Sequence, residues 1–218
     1  VVVLALIVVN SLVLLYQESL PPHAQMALLY SWAAVPAKIL QGARVGPAGG
    51  HAAWLTIFTS MFMHGGLAHL GGNMLYLWIF GNNVEDLLGH VRFLLFYLLC
   101  GVLAMGAQIL ISPGSQVPTL GASGAIAGVL GAYLVRYPRA RVYTLLLVFP
   151  FIRVVRLPAL WLLGFWFIFQ LLAGGVALGV QQGGGVAYFA HIGGFVAGML
   201  LIKVCQRRRG PRCYHDEA

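Results

Sequence analysis

Charge is what this sequence has least of. Only 8% of its 218 residues are charged, against about 25% in an ordinary soluble domain, which excludes a fold with a continuous polar coat. With a hydrophobic fraction of 60% and a mean hydropathy of +0.87, the chain reads as an integral membrane protein. Acidic side chains are the scarcest: Glu18, Glu85, Asp86, Asp216 and Glu217 complete the set. No apolar stretch has an aspartate at its centre, which excludes aspartyl chemistry inside the membrane. Nor does an acidic chain cross the membrane to carry protons or cations, and a Ser-His-Asp triad is unavailable. The three cysteines, Cys100, Cys205 and Cys213, stand at no motif spacing, so no disulfide framework is expected. His-Glu-x-x-His does not occur and carboxylates are lacking, so neither a metal nor a cofactor is expected.

What is present is a series of long, continuous apolar runs, a pattern that favours helices over a membrane barrel. Six spans are predicted, at about 1–16, 67–84, 93–111, 123–135, 157–178 and 186–204. The first begins at Val1 without an initiator methionine and reads as the trimmed end of a helix. A cleaved signal peptide is the competing reading, but no small-residue cleavage site follows it. The fourth is short for a bilayer that needs about 20 residues, which leaves room above it for water. Between the first two spans, residues 17–66 carry apolar patches at 26–30 and 54–63, broken by Pro21, Pro22, Pro36 and Pro47. This segment is expected to be a structured loop with short helices at the membrane surface.

The net charge of +8 raises the question of nucleic acid, but its distribution fits topology better, and no nucleic-acid partner is expected. Lys38 and Arg44 are the cations of the odd loops. Arg92, Arg136, Arg139, Arg141, Arg153, Arg156, Lys203, Arg207, Arg208, Arg209 and Arg212 lie in the even loops and the C-terminal tail. By the positive-inside rule both chain ends are cytoplasmic.

Two polar residues then share a depth near the extracytoplasmic face. Ser123 heads the fourth span in Gly121-Ala122-Ser123-Gly124, and His191 lies early in the sixth in Ala190-His191-Ile192-Gly193-Gly194. Ionisable groups in membrane helices cost roughly 2.5–3.5 kcal/mol for the charged types and are functional candidates by default. Gly124, Gly128 and Ala132 recur every four residues, as do Ala190, Gly194 and Gly198. For either helix alone, generic packing explains the spacing. Together the two grooves predict that spans four and six pack closely, bringing a nucleophile within reach of its base.

A second cluster opens span two: His64-Gly65-Gly66-Leu67-Ala68-His69-Leu70-Gly71-Gly72-Asn73. His69 and Asn73 are four apart and share a helix face. They could donate hydrogen bonds to a developing oxyanion, or simply bond to backbone or headgroups. Gly65, Gly66, Gly71 and Gly72 are expected to let loop and helix approach the cavity closely.

On His64, His69 and Asn73 in an H-x4-H-x3-N arrangement, with the Gly121–Gly124 and Ala190–Gly194 motifs, the chain resembles the rhomboid family of intramembrane serine proteases. The resemblance runs from about Trp54 to Gly198. It implies an all-α membrane protein, a bundle of six transmembrane helices with a long, partly membrane-embedded first loop. The domain would cover residues 1–206, followed by a short basic cytoplasmic tail at 207–218. Its substrates would be transmembrane segments of other proteins in the lipid bilayer. The resemblance makes Ser123 the nucleophile and His191 the general base. His69, Asn73 and the Ser123 backbone amide would stabilise the oxyanion, with His64, Gly121 and Gly124 in support. Helix five and the loop before helix six would gate lateral substrate access.

Three positions depart from the family pattern: Trp54 is followed by Leu55 rather than arginine, and Val186, with Gly185 one position off, stands where a glycine is common. The third is Ala127, where some members have a tyrosine stacked on the histidine, so His191 is expected to be held by other contacts, with Tyr188 and Phe189 as candidates. The competing function is a rhomboid-like pseudoprotease that binds membrane helices without cutting them. Such proteins usually lack the serine or the histidine, and this chain has both.

Overall fold

The structure is a computed structural model that describes residues 1–148, 151–179 and 186–205. The predicted tail at 207–218, Cys213 and Gly185 lie outside the described residues. The helices are α1 (Val2–Ser19), α2 (Pro22–Trp32), α3 (Pro36–Leu40), α4 (Thr56–Thr59), α5 (Leu67–Leu88), α6 (His90–Ile111), α7 (Ser123–Arg136), α8 (Ala159–Gly179) and α9 (Tyr188–Cys205). The predicted spans correspond in order to α1, α5, α6, α7, α8 and α9. Four of these, Val2–Ser19, His90–Ile111, Ala159–Leu178 and Tyr188–Cys205, are long and apolar enough to cross a membrane. The other two differ for separate reasons. With 14 residues, α7 rises about 21 Å, short of a hydrocarbon core about 30 Å thick. Helix α5 has 22 residues but dilutes its apolar character with His69, Asn73, Asn82, Asn83, Glu85 and Asp86.

Helix α7 is the centre of the bundle. Ala125 through Tyr133 are buried without interruption, as expected of a helix that is apolar all round and enclosed by others. Its glycines let it sit there. A methyl at Gly128 would lie 2.5 Å from the Cys100 side chain of α6. On the facing helix, a methyl at Gly194 would collide with the carbonyl oxygen of Gly124, and one at Gly198 with that of Gly128. The small-residue grooves of α7 and α9 therefore pack backbone to backbone, as their spacing predicts. Helix α1 lies at the edge and buries Val3, Leu6, Asn10 and Leu14, a single stripe at helical period, with Val3 set against Gly81 of α5.

The long first loop contains α2, α3 and α4 and a hairpin of two short strands, β1 (Arg44–Val45) and β2 (His51–Ala52). Prolines begin α2 and α3, where a missing N–H costs nothing. Its backbone holds the segment that leads into α7. Ala34 and Thr119 exchange bonds of 3.0 and 2.7 Å, Ala37 N–H donates to Ser115, and Gly121 N–H donates to Ser60 at 2.9 Å.

The connection before α8 is a strand pair outside the all-α expectation. β3 (Arg141–Val148) and β4 (Phe151–Pro158) run antiparallel, from Arg141 opposite Pro158 to Val148 opposite Phe151. Valine, threonine and tyrosine supply the β-branched and aromatic side chains that suit a pleated surface, and Arg156 lies over the Tyr143 ring at 4.9 Å.

Candidate active site

Gly121 sets the geometry at the head of α7. Its φ of +120° belongs to a region that favours glycine, and a methyl there would lie 2.8 Å from His69 Nε2. The turn delivers Ser123 as the first residue of the helix, where backbone N–H groups have no intrahelical acceptor. His191 sits in the first turn of α9. Its Nε2 is 2.7 Å from Ser123 Oγ, so the close packing of α7 on α9 brings the two predicted residues into hydrogen-bond contact. A cavity of about 1200 Å³ opens beside them, lined by His69 and Asn73 of α5, Gln108 of α6, and Trp166, Phe169 and Val176 of α8, among others.

His69 and Asn73 converge on Gly121. Gly65 N–H donates to His69 Nδ1 at 3.3 Å, which leaves the ring proton on Nε2, the nitrogen nearer Gly121. Asn73 Nδ2 lies 3.6 Å from the same methyl position. Asn73 is 8% exposed, and its Nδ2 has no hydrogen-bond partner among the described residues. A buried amide without an acceptor is uncommon; this one lies beside the space over Ser123.

His64 is placed differently. It is 1% exposed and meets the His69 ring edge-on at 5.1 Å. Its backbone is clamped by the Gln17 side chain at the end of α1, which donates to the His64 carbonyl at 3.1 Å and accepts from its N–H at 3.3 Å. Burial, followed by the neighbouring His69, pushes the His64 imidazole down to about 4. Its place is behind His69, not on the cavity wall. Gly124 has a packing place: a methyl there would lie 2.8 Å from Ala104 of α6.

One expectation needs correction and another holds in part. His191 is not held through Tyr188 or Phe189: its Nδ1 lies 2.8 Å from Gln170 Oε1, and its ring lies 5.9 Å from that of Trp166, both on α8. Gln170 escaped the sequence reading although it carried a signal, as the lone amide side chain in an apolar helix. Gln108 was also missed; its Oε1 accepts from Ala190 N–H at 3.3 Å, one residue before His191. Of the four glycines expected to approach the cavity, Gly65 and Gly72 line it and Gly66 and Gly71 do not. A methyl at Gly66, Gly71 or Gly72 meets nothing within 4 Å, and one at Gly65 makes only ordinary contact with His69 at 3.7 Å. Gly66 instead supplies a φ of +136° before α5. Gly121 lines the cavity as well.

A family model, the Rhomboid domain, matches residues 51–208. The chain is similar to the rhomboid protease GluP of Bacillus subtilis, 46% identical over 81 residues, covering 37% of this chain and 15% of that protein. It is similar to Rhomboid protein 1, mitochondrial, of Saccharomyces cerevisiae, 33% identical over 167 residues, covering 72% of this chain and 45% of the relative. It is also 37% identical over 84 residues to the human presenilin-associated rhomboid-like protein, mitochondrial, covering 38% and 22%. The chain thus spans less than half the length of these relatives. Matched by the domain model from His51 through the last described helix, the chain belongs to the rhomboid family.

Proposed function

We propose that this protein is an intramembrane serine endopeptidase that cuts transmembrane segments of other membrane proteins near the extracytoplasmic face. The observation that carries the proposal is the 2.7 Å contact between Ser123 Oγ and His191 Nε2 beside a cavity of about 1200 Å³. His191 takes the hydroxyl proton as Ser123 attacks the scissile carbonyl. The oxyanion that forms is met by His69 Nε2–H, the Asn73 amide and the Ser123 backbone N–H. His191 then protonates the leaving amine, and the acyl ester on Ser123 remains. In the second half His191 deprotonates water, which attacks the ester and releases the new carboxylate, and the proton returns to Ser123.

The short α7 supports this placement. With Arg136 at the cytoplasmic boundary, its rise of about 21 Å leaves Ser123 about 10 Å below the opposite boundary, where a shielded cavity can hold water. A substrate helix must unwind there, because in a helix its carbonyl is already hydrogen-bonded. The asymmetry of arginine and lysine supports six spans with both ends cytoplasmic, residues 1–206 as the protease domain and 207–218 as a basic cytoplasmic tail.

The test is cleavage of a single-span substrate by purified protein in liposomes, with fluorophosphonate labelling of the serine. Wild type is expected to cleave and label, and Ser123→Ala and His191→Ala to do neither. Cleavage surviving in Ser123→Ala would overturn the mechanism. An unlabelled wild type that still captures membrane helices would make the protein a binder.

A further inference from the structure

The protease reading assigns no role to Gln170. Between Ala159 and Gly179 no other side chain can accept a conventional hydrogen bond, and Gln170 is 5% exposed. An amide buried in an apolar helix needs a partner, and it has one in His191 Nδ1, 2.8 Å from Oε1. An amide oxygen only accepts, so Nδ1 carries the ring proton. Nε2 is left with its lone pair towards Ser123 Oγ, the form a general base requires. The opposite amide orientation would place an N–H against Nδ1, drive the proton to Nε2 and silence the base.

Gln170 also stands in a stripe. Trp166, Gln170 and Gly174 recur at intervals of four along α8, and each meets α9. The Trp166 ring lies 5.9 Å from those of His191 and Phe195. A methyl at Gly174 would lie 3.2 Å from Tyr188 Cβ, so the helices close tightly one turn beyond Gln170. The adjoining stripe of α8, with Phe169, Ala173 and Val176, faces the cavity. One helix thus both lines the cavity and holds the histidine, with Trp166 doing both.

We propose that Gln170 is a positioning residue of the dyad: it fixes the Nδ1–H tautomer of His191 and makes the dyad depend on α8 remaining seated on α9. This inference rests on the protease reading. A displacement of α8 by about 1 Å stretches the 2.8 Å contact past hydrogen-bond range, so whatever moves α8 also loosens the base. The groups around His191 are Ser123 on α7, Trp166 on α8 and the titratable His69 on α5, with Gln108 of α6 on the N–H of the preceding residue. Since His69 is common to every variant, it cannot account for differences between them.

The experiment uses the full chain in detergent, as wild type, Gln170→Leu and Gln170→Glu. The His191 tautomer is read by nitrogen-15 NMR, and turnover and fluorophosphonate labelling are followed against pH. Wild type is expected to carry the proton on Nδ1. Gln170→Leu is expected to lose that preference and lower kcat on the order of 100-fold, with KM within about twofold and labelling slowed in parallel. Gln170→Glu keeps the acceptor and the tautomer. Its carboxylate favours the imidazolium, so the acid limb of labelling moves to higher pH, which a purely structural side chain would not cause. A proton on Nε2 in wild type, or an unmoved acid limb in Gln170→Glu, overturns the proposal. If Gln170→Leu fails to fold, those two readouts still decide it. A wild type with the Nδ1–H tautomer that neither labels nor cleaves removes the protease reading and leaves the bond itself established.

Discussion

Truncating Asn73 to alanine is expected to move catalysis and stability in different ways. Its Nδ2 is buried without a partner among the described residues, and it lies 3.6 Å from the point a methyl on Gly121 would occupy. If that donor serves the oxyanion, its loss removes about 2.7–4 kcal/mol of transition-state stabilisation, or about 100- to 1000-fold in kcat. KM should barely move, because the interaction forms only as charge develops on the carbonyl oxygen. The folded state loses little. Deleting an unsatisfied buried donor relieves about 1–3 kcal/mol of desolvation, offset by the packing of the few atoms removed. Thermal unfolding should therefore stay within about 1 kcal/mol of wild type. Turnover of a single-span substrate and a melting curve in the same detergent decide the matter. Asn73→Asp keeps the shape but replaces the donor with an acceptor, and should be at least as impaired. The oxyanion role is refuted if Asn73→Ala melts several degrees lower while kcat is unchanged, for the amide would then be structural.

Gly198→Ala should destabilise the bundle by about 1–3 kcal/mol or more, because its methyl would collide with the Gly128 carbonyl oxygen. It should also slow serine labelling by separating α7 from α9. Gly71→Ala, which meets nothing within 4 Å, should melt no lower than wild type; equal losses at both positions would refute the packing argument. His64 carries a pH dependence of known sign. Buried neutral with its pKa held down at about 4, against about 6.5 in the unfolded chain, it favours protonation of the unfolded state. Its stabilising contribution is complete above about pH 6.5 and is lost as pH falls towards 4. Melting temperature against pH should accordingly fall less steeply in His64→Phe than in wild type over that window, and parallel curves would refute the assignment.

The long helices were legible because a chain crossing or filling an apolar bundle must bury its own backbone bonds, and continuous apolar runs leave helices as the economical solution. The α7–α9 contact was legible too, since small residues at a four-residue interval mark where two helices approach. The β3–β4 hairpin was not. Its central segment Leu145-Leu146-Leu147-Val148 does not alternate, and without alternation the two-residue period of a strand is invisible. The glycines show the same limit. Gly71 and Gly121 are identical in sequence terms, yet one faces open space and the other sits 2.8 Å from a histidine when given a methyl.

By itself the sequence determined the membrane class, the order of the helices and the chemistry available: a serine, histidines and an asparagine in glycine-rich helix heads, with almost no acid to accompany them. These are properties of composition and local period, which act along the chain. Only the tertiary structure decided that Ser123 and His191 are 2.7 Å apart, that Asn73 Nδ2 is buried without a partner among the described residues, and that Gln170 rather than a neighbour of His191 takes the second ring nitrogen. Those pairings join residues 68 and 21 positions apart. Hydrogen bonds are short-ranged and directional, so such partners are set by how helices seat against one another.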